Sequence, residues 1–75
     1  MRLPIISGMK VVKAFSKIGF QISRQSGSHI ILVKKNGQKL TVVVPKHDEL
    51  ATGTLLSIIA QSGMTREDFL KLVNN

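Results

Sequence analysis

Cysteine, tryptophan and tyrosine are absent from this 75-residue chain. Without Cys, no disulfide and no thiolate metal site can supplement a small core. That composition suits a reducing compartment, and a cytoplasmic protein is expected. Without Trp or Tyr, and with only three Phe, aromatic anchors for a membrane surface are missing. The longest uncharged window, residues 50–65, is broken by Gly53 and Gly63, so no transmembrane span is expected. The segment Met1–Ile6 is too short for the apolar core of a signal peptide. Acidic residues are scarce: four Asp and Glu stand against eleven Lys and Arg, a formal net charge of +7. A small domain so charged is drawn to polyanions, nucleic acid first among them.

What is present reads as one small α+β domain, residues 1–75, with no room for a second core. Ser7 can cap a helix over Gly8–Ile18. Met9, Val12, Phe15 and Ile18, with Val11 beside them, fall at helical spacing and form one apolar face. Lys10, Lys13 and Lys17 share a basic stripe. Such a stripe is usually a solvated face; on a chain this basic, phosphate contact is the second reading. Gly19 ends the helix. Three strands come next, about 20–24, 29–35 and 38–44, and Pro45 stops the last by removing a donor. Asn36-Gly37 is a strong hairpin signal for a type I′ turn.

A two-residue turn there pairs Val33 with Leu40 and His29 with Val44. A loop centred on Ser26-Gly27 pairs Arg24 with His29. Both registers direct Phe20, Ile22, Ile31, Val33, Leu40, Val42 and Val44 to a helix-covered face. They leave Ile30, Leu32 and Val43 on the other. Thr52 or Thr54 is expected to cap a second helix to Ser62, ended by Gly63. Thr65 is expected to cap a third, with Glu67 and Asp68 in its first turn.

Few residues can carry chemistry. His29 and His47 with four scattered acids show no metal-ligand spacing, and no phosphate-binding Gly-rich loop is present. Ser28 adjoins His29, but neighbours on a strand point to opposite faces and do not make a nucleophile–base pair. The remaining constellation is His29 at a strand start, with Arg24, Gly27, Lys46 and His47 nearby. A histidine side chain can give and take protons near neutral pH. Metal-free cleavage of an RNA phosphodiester is therefore open to it, with cations stabilising the phosphorane. Gly27 would let a phosphate approach the backbone. From the residues alone, a surface histidine without catalytic duty is the commoner case.

One ordered set of residues spans nearly the whole chain: Gly19-Phe20, Arg24-Gln25-x-Gly27-Ser28-His29, Val44-Pro45-x-His47, Gly53-Thr54-Leu55 with Ile58 and Gly63, and Phe69. Leu3-Pro4 and Ser7-Gly8 precede it. The set resembles the HicA family of toxins from HicA–HicB toxin–antitoxin systems. The resemblance implies a fold like the double-stranded-RNA-binding domain, helix–three-stranded antiparallel sheet–helix, with a short C-terminal helix added here. It implies an endoribonuclease that cleaves mRNA without a metal or other cofactor and arrests translation. It makes His29, of Gly-Ser-His, the catalytic residue. It also implies a HicB-like antitoxin covering the site, for which Leu56, Ile59, Ile30 and Leu32 supply apolar surface. Basic residues common in the family's second helix are replaced by Leu56 and Ala60, shifting the expected RNA contacts to Lys10, Lys13, Lys17, Lys34, Lys39 and Lys46. A non-catalytic basic RNA-binding module, or a protein-interaction domain meeting an acidic partner, is the alternative.

Overall fold

The computed structural model describes residues 3–74. Its elements run α1 (Gly8–Ser16), β1 (Gln21–Ser26), β2 (His29–Asn36), β3 (Gln38–Pro45), α2 (Thr52–Ser62) and α3 (Arg66–Val73). The strands form one antiparallel sheet in the order β1-β2-β3. Helices cover one face of it, so the α+β expectation holds, as does the helix–sheet–helix order with a short final helix.

Local signals set the helix ends. The Ser7 hydroxyl accepts the Lys10 N–H at 3.2 Å, and the Thr65 hydroxyl accepts that of Asp68 at 3.1 Å, satisfying donors that a first turn leaves free. α2 departs from expectation. It starts at Thr52, and Ala51 stands at its N-cap without a side-chain hydrogen bond. Neither Thr52 nor Thr54 caps it.

The core joins Val11, Phe15, Leu55, Ile58 and Phe69 of the helices to Ile30, Leu32, Val42 and Val44 of the sheet. Phe15 lies at its centre, stacked on Phe20 at 5.2 Å and edge-on to Phe69 at 6.0 Å between ring centroids. Met9, expected on the buried face of α1, is instead 41% exposed. Val11 and Ala14 take the inner positions.

The strand register also departs from expectation, and it is the departure that matters for the site. Asn36 pairs with Gln38, leaving Gly37 alone at the turn, and Lys34, not Val33, faces Leu40. Positive φ occurs at Gly37 (79°), whereas no described non-glycine residue has it. A type I′ turn needs positive φ at both central residues; Asn36 lacks it, so the hairpin closes on Gly37 and each partner moves by one. The first hairpin likewise turns at Gly27-Ser28, pairing Ser26 with His29 and Arg24 with Ile31. Positive φ at Gly27 (57°) is what a type II′ turn asks of its first central residue. Arg24 is therefore not opposite His29.

A one-residue slip exchanges the faces of a strand. Ile30 and Leu32 are the buried pair, at 1% and 0% exposure, while Ile31 and Val33 are half-buried on the other side. Phe20, Val42 and Val44 are buried as expected, but Ile22, on the edge strand, is 53% exposed.

Candidate active site

His29 is the first residue of β2, exposed, and paired with Ser26 on one side and Pro45 on the other. Ile30 and Leu32 point into the core, so alternation turns His29, Ile31, Val33 and Lys35 to the open face. Arg24 reaches the same face through a bulge. The pairing shifts between Ile22 and Arg24, so Ser23 and Arg24 together oppose Ile31. An extra residue in one strand re-aims the side chains beyond it. Without it, Arg24 would share the face of the buried Leu32. With it, Arg24 sits diagonally across from His29, a relation that spans roughly 7–8 Å and is within reach of a long side chain.

The end of the sheet that carries His29 is fastened on three sides. The Lys46 N–H donates to the Ser28 carbonyl, tying the end of β3 to the β1–β2 turn. The Gly8 N–H donates to the His47 carbonyl at 2.9 Å, and the Leu50 N–H to that of Ile6 at 2.9 Å. α1 begins so close to β3 that a β-carbon at Gly8 would overlap the Pro45 carbonyl oxygen. Gly27 and Ser28 directly precede His29, and Lys46 and His47 follow its strand partner Pro45; all four are exposed.

The lysines divide. Lys10, Lys13 and Lys17 are exposed on α1 and its C-cap, on the outside of the helical layer rather than on the open face of the sheet. Lys17 stands about 10 Å further along the helix than Lys10. Lys34 points inward, with Nζ 5.8 Å from the Phe20 ring centroid. Lys39 is exposed opposite Lys35. Of the apolar residues expected to offer partner surface, Ile30, Leu32 and Ile59 are buried and Leu56 is 42% exposed. Sequence reading missed Gly8. The signal was a glycine in a first helical turn, where it costs helix stability unless something passes close by. Among the described residues, no three His, Cys, Asp or Glu side chains gather as a metal-ligand set, and no helix is long and apolar enough to cross a membrane.

Fold and site define a small basic α+β domain with an exposed histidine at a sheet end, beside a glycine turn that is hydrogen-bonded to the end of β3. A model of the family described as the HicA toxin of bacterial toxin–antitoxin systems matches residues 8–64, and the chain belongs to that family. The match covers every element from α1 to α2, His29 included. Membership makes it the toxin side of such a system and implies a cognate antitoxin. No curated protein matches the chain.

Proposed function

We propose that this toxin is an endoribonuclease that cuts mRNA and thereby arrests translation, with His29 as its proton-transfer residue. The supporting observation is the placement of His29: solvent-accessible, first in its strand, held by the Lys46–Ser28 hydrogen bond, and diagonal to Arg24. The neutral imidazole takes the proton of a ribose 2′-OH. The 2′-oxygen attacks phosphorus and the bond from phosphorus to the 5′-oxygen breaks. The leaving 5′-oxygen takes up a proton from the imidazolium or another nearby acid, with Lys46 and His47 as candidates. A 2′,3′-cyclic phosphate and a 5′-hydroxyl result. Arg24 and Lys46 stabilise charge on the phosphorane, and this route calls for no metal. The antitoxin neutralises the toxin by covering the His29 end of the sheet.

The test is cleavage of single-stranded RNA by purified protein in EDTA. His29→Ala should lose activity by about 10²–10⁴-fold, the usual worth of a positioned acid–base group, and should relieve growth arrest while remaining folded. Cleavage at the wild-type rate by that variant would remove His29 from the mechanism. RNA binding without cleavage products by the wild-type protein would favour a non-catalytic RNA-binding module.

A further inference from the structure

Beside β1, next to the bulge at Ser23, lies a groove of about 360 Å³, lined by Gly19, Gln21, Ile22, Ser23, Val33 and Lys35. Gln21 pairs with Val33, and Lys35 has the same parity on β2, so these three line the groove from the face that carries His29, while Gly19 and Ile22, the latter paired with Leu32, line it from the β1 edge. Val33 lies four residues along β2 from His29, roughly 13 Å at the rise of a strand. That distance is covered by no more than about four nucleotides of stacked single strand.

We propose that single-stranded RNA lies across the open face of the sheet, and that this groove is a nucleotide subsite which helps select where the strand is cut. The proposal rests on the ribonuclease reading of His29 and adds the path of the substrate. The groove offers what a nucleotide presents. The Gln21 amide can both donate to and accept from a base edge, Ser23 adds a hydroxyl, and Val33 gives an apolar floor for a base face. The Lys35 ammonium meets a phosphate. Ser23, standing between the pairs Ile22–Leu32 and Arg24–Ile31, also brings backbone groups off the ladder.

Charge favours RNA as the occupant. The strands carry Arg24, Lys34, Lys35 and Lys39 and no acid, while the four acids of the chain are Asp48, Glu49, Glu67 and Asp68, all outside the sheet. Lys34 is turned inward over Phe20, which leaves Arg24, Lys35 and Lys39 around an apolar strip of Ile31, Val33 and Val43. No aromatic residue other than His29 lies on any of the three strands, so a base on this face rests against the apolar strip rather than on an aromatic ring. An open sheet face with a groove beside it suits a splayed single strand, whose bases are free to be read.

Two experiments on the full chain test this. His29→Ala protein is photocrosslinked to a single-stranded oligonucleotide carrying 4-thiouridine, and the attached peptide is identified. Crosslinks within residues 21–35 are expected; crosslinks confined to α1 would overturn the proposal. Gln21→Ala and Lys35→Ala are then compared with wild type in cleavage kinetics on otherwise native protein. Both side chains are exposed, so melting temperatures should hold. The expected result is a rise in KM of roughly tenfold, as for a lost charge-assisted hydrogen bond, with kcat within about twofold and an altered base preference beside the cut. Wild-type KM and cut sites in both variants would overturn the subsite and leave the role of His29 standing. Loss of antitoxin binding with RNA cleavage untouched would overturn it too, marking the face as a protein surface. A wild-type protein that cuts nothing, yet crosslinks within 21–35, would support the subsite and sink the catalytic reading of His29.

Discussion

The two faces of β2 are built from nearly the same residues and do opposite things. Ile30 and Leu32 are sealed against the helices at 1% and 0% exposure, while Ile31 and Val33 lie half-buried on the open side beside His29. Residue type does not decide which pair is core; pairing does. One side of the strand then anchors the fold, and the other is free to hold the histidine, Arg24 and the groove. The comparison breaks if the two sides prove equally important for stability. Leu32→Ala should cost about 2–5 kcal/mol, as for a fully buried leucine. Val33→Ala, losing a smaller and half-wet side chain, should cost less than about 1 kcal/mol. Urea unfolding measures both, and equal midpoints for the two variants would mean that the faces have been assigned wrongly.

The fastened and unfastened ends of the sheet offer a second contrast. At the His29 end, α1, β3 and the β1–β2 turn are tied by main-chain hydrogen bonds, with Gly8 pressed on Pro45. At the Gly37 end, no main-chain hydrogen bond among the described residues ties the turn to another element. Gly8→Ala should therefore cost about 1–3 kcal/mol by overpacking, despite the better helix propensity of alanine. Because the displaced atoms are Pro45 and Lys46, amide resonances of Ser28, Lys46 and His47 should shift, and RNA cleavage should fall with them. A variant as stable as wild type with those resonances unmoved would show that the site end is not held by this contact.

How much of this fold was legible in the sequence depends on the range of each signal. Ser7, Thr65 and Gly63 act within one helical turn, and each does what its local chemistry dictates. Strand existence was equally legible, as was the polar turn that delivers His29 to the start of a strand. Register was not. In Ile30-Ile31-Leu32-Val33 every residue is apolar, so alternation carries no information about face. Asn36-Gly37 can turn as a pair or on Gly37 alone, which moves every partner by one. The bulge at Ser23 has no glycine or proline to announce it, yet it sets the face of Arg24 and Ser23 itself lines the groove. The role proposed for His29 rests on the ordered resemblance along the chain. That its side chain shares a face with Arg24, and not with the helices, came from the fold.

The smallest expected effect concerns the two edges of the sheet. β1 is exposed along its whole length and pairs irregularly, a bulge being one way in which an edge is made a poor template for another strand. β3 is protected differently: the Val43 N–H, directed away from β2, donates to the Gln61 side-chain oxygen of α2 at 2.9 Å. The bond is exposed, and water can replace the amide. Gln61→Ala should therefore cost at most about 0.5–1 kcal/mol, while the Val43 amide exchanges hydrogen faster than its strand neighbours. If Gln61 acts as an edge guard rather than as a support for α2, the variant should also associate weakly at high concentration, with the rest of the exchange pattern unchanged. Uniformly faster exchange along α2 would instead mean that Gln61 holds the helix to the sheet, and that protection of the β3 edge is a by-product of docking.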